Sequence, residues 1–132
     1  MVVGFDLDGT ITLCSGFGAS EKNIPWWIIG TVLFFYKPKI NERIILIIRA
    51  VKKIGWRVII VTKRPVELKK LTKNFLLNKK IPYDEIYFVG GGSNSNKKKI
   101  EKIEELKPLL FFDNNKDVVK KLEEKGVCSI LV

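Results

Sequence analysis

The sequence predicts an α/β domain: a three-layer, Rossmann-like parallel sheet of about five strands, helices on both faces, and a small insertion after strand one. Three observations predict it. Short apolar runs alternate with stretches of helical length along most of the chain. The run WRVIIV at residues 56–61 is apolar at nearly every position, as a strand covered on both faces must be. Gly or Pro marks the junctions at Gly9, Gly55, Pro65, Pro108 and Gly126. At 132 residues the chain reads as one domain, residues 1–132, with a core that needs no staples.

Residues 2–7 form an apolar run interrupted by Asp6 and followed by Gly9, which is a buried strand delivering acids at its C-terminal end. Residues 13–40 hold the insertion, read as a small cap or lid, and within it residues 24–36 are unusually apolar. That run is shorter than the roughly 20 residues a bilayer crossing needs, so no transmembrane span is expected. Lid packing or a homodimer contact is expected of it instead, and an interfacial membrane contact is weakened by its lack of a polar face. Residues 41–54 read as a helix with Asn41 as N-cap and Gly55 as the stop. After strand two at 56–61, Pro65 opens a second helix running to about residue 78, at a position where a missing N–H costs nothing. Strand three, 85–89, leads into the Gly-rich loop 90–96, which lacks the Gly-Lys-Ser/Thr ending of a phosphate-binding loop and reads as a connector. A helix over 97–106 stops at Pro108. Strand four covers 109–112 and ends at Asp113; a helix over 117–125 and a fifth strand over 127–132 complete the chain.

Such βαβ units connect right-handedly, and ligands bind beyond the carboxyl ends of the strands where the strand order reverses. On that rim the sequence places Asp6 and Asp8 after strand one, Thr62 after strand two and Asp113 after strand four. The cluster Lys97, Lys98, Lys99 opens the helix before strand four. Successive helical residues point about 100° apart, so only one of these lysines faces a pocket well.

Composition narrows the chemistry. The chain has no histidine, which removes Ser-His-Asp and Cys-His triads, His-ligated zinc and histidine acid–base catalysis. Its two cysteines, Cys14 and Cys128, supply neither a disulfide framework nor a Cys₄ site, so a cytoplasmic setting is expected. The start MVVGFD lacks the pattern of a secretory signal. The net charge of +10 favours anionic partners: phosphorylated metabolites, nucleic acid or an acidic membrane face. A Lys- and Glu-rich surface of the thermophile kind, here also without Gln, accounts for that charge equally well. What remains for catalysis is carboxylates, lysines, hydroxyls and a hard cation held by oxygen. Converging carboxylates at a strand end are costly unless a cation such as Mg²⁺ sits among them.

The run Phe5-Asp6-Leu7-Asp8-Gly9-Thr10 resembles the DxDGT signature of the haloacid dehalogenase-like superfamily, most of whose members are phosphatases. Thr62 in IIVTKRP, a lysine before strand four and Asp113-Asn114-Asn115-Lys116-Asp117 resemble the family's second, third and fourth motifs, in order. The resemblance implies an Mg²⁺-dependent phosphohydrolase of phosphomonoesters working through an aspartyl phosphate. Asp6 would be the nucleophile and a metal ligand. Asp8 would be the general acid and base, its backbone carbonyl also binding metal. Thr62 and Lys99 would hold the transferring phosphoryl oxygens, and Asp113 would complete the metal site. Asn114, in place of the family's frequent second Asp, and Asp117 would support it, Asp117 by orienting the lysine or a metal-bound water. Asp117 as a plain helix cap is the competing reading.

Gly9, Thr10, Lys63 and Arg64 are the candidates for contact with phosphate or substrate, Arg64 with a second anionic group. The small insertion implies a comparatively open site that suits a bulky substrate. The stretch IPYDEIYF resembles small-cap members acting on sugar phosphates or polynucleotide 3′-phosphates, so a sugar phosphate, a nucleotide or a polynucleotide end is the substrate expected. Two other functions keep the same fold: a phosphotransfer or regulatory module with a long-lived phosphoryl-Asp6, and a non-catalytic binder of nucleic acid or membrane.

Overall fold

The computed structural model describes residues 1–13, 28 and 38–132. Most of the predicted insertion, and all of its apolar run save Ile28, therefore lies outside the described residues. Its two ends are in view: Thr12 and Ile40 form an antiparallel bridge, and Leu13 N–H donates to the Lys39 carbonyl at 2.8 Å.

Five parallel strands make one sheet in the order β3-β2-β1-β4-β5. They are β1 (Val2–Phe5), β2 (Arg57–Thr62), β3 (Glu85–Phe88), β4 (Leu110–Asp113) and β5 (Ser129–Leu131). Among the described residues the α-helices are α1 (Glu42–Lys53), α2 (Lys69–Asn78), α3 (Ser95–Leu106) and α4 (Lys116–Glu124). The chain steps outward from β1 through β2 to β3, then crosses back to β4 on the other side of β1. The order thus reverses between β1 and β4, which is where a crevice opens in such sheets.

Burial explains the layers. In α1, Ile44, Ile45, Ile48 and Val51 recur at helical spacing and are buried, overriding the modest helix propensity of β-branched residues. They pack with Leu76 of α2 against Val3, Phe5, Val58, Ile60 and Phe112 on one face of the sheet. On the other face Ile100 and Ile103 of α3 and Val118 and Leu122 of α4 cover Val61 and Phe111. Each such side chain contributes about 1.5–3 kcal/mol by leaving water. The sheet is tightest at Gly4, where a Cβ would lie 2.4 Å from the Phe111 ring. Glycine there lets the ring cross the strand.

Element boundaries depart from the sequence reading in instructive places. Strand one stops at Phe5 rather than residue 7, because the chain turns at once into the tight coil Leu7–Ile11. The second helix starts with a single 3₁₀ turn, Val66–Leu68, after Pro65. The third begins two residues early, at Ser95. Asn41 precedes α1 without a capping side-chain bond, whereas Asn115, not Asp117, caps α4 by accepting from the amides of Asp117 and Val118. The fifth strand shrinks to Ser129–Leu131 at the sheet edge.

Candidate active site

β1 ends beneath the reversal point, held by the Asp6 N–H donating to the Phe112 carbonyl of β4 at 2.9 Å. Gly9 then takes φ +88°, a left-handed conformation that suits glycine, and the coil closes where Thr12 N–H reaches the Leu7 carbonyl at 3.0 Å. This turn buries both acids, Asp6 to 5% exposure and Asp8 to 6%. Their carboxylates nevertheless part company.

Asp6 faces β4 and α3. Its Oδ1 lies 2.5 Å from Lys99 Nζ, and its Oδ2 accepts from Thr10 Oγ1 at 3.2 Å. With its amide nitrogen turned inward, Asn114 donates to Asp6 Oδ2 at 3.0 Å and to the Asp8 carbonyl at 3.3 Å. Lys99 is the inward member of its trio, 2% exposed, while Lys97 and Lys98 lie in solvent. It also sits 2.7 Å from Asp113 Oδ2 and 5.8 Å from the centre of the Phe111 ring. Burial pushes the Asp6 carboxyl up to about 7, with the Lys99 charge opposing and that of Asp113 reinforcing the rise. Burial also works against the Lys99 ammonium, but Asp6 and Asp113 outweigh it and hold its pKa above the usual lysine value. One cation is stretched between two acids.

Asp8 faces β2 and α2. Arg64, 2% exposed, grips it with both prongs, Nη2 to Oδ1 at 2.7 Å and Nε to Oδ2 at 2.9 Å. The remaining arm donates to Thr72 Oγ1 of α2 at 3.0 Å, and the Arg64 backbone N–H donates to Thr62 Oγ1 at 3.1 Å. The sequence reading gave Arg64 to a substrate's second anionic group. The structure turns it inward because a buried carboxylate needs a paired, hydrogen-bonded partner. Thr62, buried at the end of β2, accepts that backbone bond and retains a hydroxyl proton to donate. Lys63 is 5% exposed and its ammonium meets Asn96 Oδ1 of α3.

Two further expectations shift. Asp8 was expected to bring its carboxylate to the same cavity as Asp6, and Arg64 draws it away; only its backbone carbonyl faces the Asp6 side. The resemblance implies that Asp117 orients the lysine or a metal-bound water; it stands exposed in the first turn of α4, with no bond to Lys99. Asp6 and Asp113 orient Lys99 themselves. No motif or spacing points to Thr72, one threonine in a helix, which matters because α2 brings its hydroxyl to the Arg64 guanidinium.

Among the described residues no three acids converge on one point, so a metal held by carboxylates alone finds no site. The mixed set that the resemblance implies does fit a hard cation. Asp6 Oδ2 and the Asp8 carbonyl converge on the Asn114 amide. Asp113 Oδ1 accepts from the Asn115 N–H at 2.9 Å, but its Oδ2 is buried, with Lys99 close yet off the hydrogen-bond direction and no other donor. Oxygen-only donors and an under-satisfied buried carboxylate oxygen suit Mg²⁺.

No protein-family model and no curated protein sequence matches the chain. Its fold is shared by chains from two structures, "Structure of the Pnkp1/Rnl/Hen1 RNA repair complex" and "Structure of Pnkp1/Rnl/Hen1 complex". Both superpose with a TM-score of 0.76 over 99% of this chain, at 20% and 21% identity. The chain spans 42% and 45% of their lengths, less than half of either.

Proposed function

We propose that the protein is an Mg²⁺-dependent phosphomonoesterase that works through a phosphoryl group on Asp6, as a haloacid dehalogenase-like phosphatase would. The observation that carries this reading is the setting of Asp6: a nearly buried carboxylate at the strand-order reversal, beside a buried lysine and a second acid. An Asp6 oxygen attacks phosphorus, the bond from phosphorus to the leaving oxygen breaks, and that oxygen takes a proton from the Asp8 carboxyl once substrate has displaced Arg64 and Asp8 has taken up a proton from solvent. Water then attacks the phosphoryl group, gives its proton to Asp8, and frees phosphate as the Asp6–phosphorus bond breaks. Lys99 and the Thr62 hydroxyl meet the developing charge on the phosphoryl oxygens. Asp6, the Asp8 carbonyl and Asp113 would hold Mg²⁺, which supplies positive charge beside the transferring group. Arg64 holds Asp8 before substrate binds and has to release it for Asp8 to act.

The likeness to chains of an RNA repair complex supports the phosphate at a polynucleotide end as substrate over a free sugar phosphate, and the net charge of +10 agrees with it. One observation favours a second reading. Both Asp8 oxygens are engaged by Arg64, which would slow the hydrolytic half-reaction and leave phosphoryl-Asp6 long-lived, as in a phosphotransfer module.

The deciding assay is phosphate release from an aryl phosphate and from phosphate-ended oligonucleotides, with Mg²⁺ and with EDTA, for wild type and Asp6→Asn. Turnover that needs both Mg²⁺ and Asp6 supports hydrolysis. A stable, acid-labile covalent adduct with little release supports phosphotransfer. No Asp6-dependent chemistry at all defeats both.

A further inference from the structure

The helix that leaves the rim on the Asp8 side is, among the described α-helices, the one without an acidic residue, although the basic residues of α1 give that helix the same net charge. α2 reads KKLTKNFLLN, with three lysines and no acid. By contrast α1 carries Glu42, α3 carries Glu101, Glu104 and Glu105, and α4 carries Asp117, Glu123 and Glu124. Thr72 and Leu76 face inward and are buried, so the lysines are left on the outer side. There Val66, Glu67, Lys69, Lys70, Lys73 and Asn74 line a groove of about 450 Å³.

Lys69, Lys70 and Lys73 are exposed, and none pairs with an acid among the described residues. Elsewhere on the surface Lys52 and Lys125 do pair, with Asp84 and Glu104. The groove starts two residues after Arg64, the residue that holds Asp8, and α2 runs from there away from the rim. A row of uncompensated ammonium groups therefore begins at the mouth of the site.

We propose that this groove is the path of a single-stranded polynucleotide whose terminal phosphate enters at Asp6. The inference rests on the phosphomonoesterase reading and names its substrate class. Each backbone phosphate met by a lysine releases counterions, which yields affinity with little regard for sequence. Three lysines set along one helix face match the spaced phosphates of a linear polyanion.

The test compares wild type with the triple variant Lys69→Ala, Lys70→Ala, Lys73→Ala, the matching triple Arg variant, and a control on α4, Lys120→Ala with Lys121→Ala. Each is assayed on an aryl phosphate and on a phosphate-ended oligoribonucleotide between roughly 50 and 200 mM salt, with binding of the same oligonucleotide followed by anisotropy. The triple Ala variant should lose about tenfold or more in kcat/KM on the oligonucleotide, keep its rate on the aryl phosphate, and lose about 2 from the log–log salt slope of binding. The triple Arg variant and the α4 control should behave as wild type. Equal loss on both substrates, an unchanged salt slope, or a loss confined to binding of phosphatidylserine vesicles would overturn the proposal. Where neither substrate turns over, the phosphatase reading has failed and anisotropy alone judges the groove: binding abolished with the lysines keeps it, binding unaffected removes it.

Discussion

The two sides of the rim treat their acids in opposite ways. On the β4 side Asp6 and Asp113 share the single ammonium of Lys99, and burial pushes Asp6 up to about 7 against the pull of that charge, with Asp113 adding to the rise. On the β2 side one guanidinium serves one carboxylate through two bonds, and Thr72 steadies the guanidinium in turn. The acids stand two positions apart in the chain, yet one shares its cation with a second acid and the other has a guanidinium to itself. Proximity in sequence does not set electrostatic fate. The cation brought to each side does, Lys99 from α3 on one and Arg64 from beyond β2 on the other.

The sharpest test of this contrast is catalytic. Asp6→Asn should lower turnover by about 10³-fold or more while the fold persists, read by phosphate release beside circular dichroism. Next in size are Lys99→Met and Arg64→Met, each of which strands a buried carboxylate and should cost about 3–5 kcal/mol in urea unfolding. The two differ in their rescue: adding Asp6→Asn should recover much of the loss from Lys99→Met and none of that from Arg64→Met. Equal recovery in both would erase the distinction between the sides.

A pH series in EDTA sharpens it further. The folded value for Asp6, about 7, lies above its ordinary 3.8, so the folded state binds the proton more tightly. That contribution is fully present below about 3.8 and is lost as pH rises through about 7. Asp6→Asn should therefore gain on wild type between about pH 4 and 7, by up to a few kcal/mol, and hold its lead above that. A flat difference would mean that Lys99 matches Asp6 as fully as Arg64 matches Asp8. The smallest effect belongs to Thr72→Val, which removes one hydrogen bond to a charged group and should cost about 1.5–3 kcal/mol by thermal unfolding.

Much was legible in the one-dimensional record. Alternating apolar runs and Gly or Pro stops announced the parallel sheet, and they did so because buried strands and one-sided helices leave periodicities that no tertiary contact alters. The run from Phe5 to Thr10 put Asp6 and Asp8 just beyond β1, where the strand order reverses. The inward choice of Lys99 over its neighbours follows from helical geometry once the position of α3 is known.

The primary structure by itself determined which residues reach the rim: Asp6, Asp8, Thr62, Arg64, Lys99 and Asp113 all stand at strand ends or helix starts, positions written into the spacing of apolar residues. Only the tertiary structure decided which of them pair. Arg64 turned from substrate to Asp8, Asp117 fell away from Lys99, and Thr72 entered unannounced. Ion pairing depends on distances of a few ångströms between elements far apart in the chain, and the pattern of apolar residues fixes faces but not those distances.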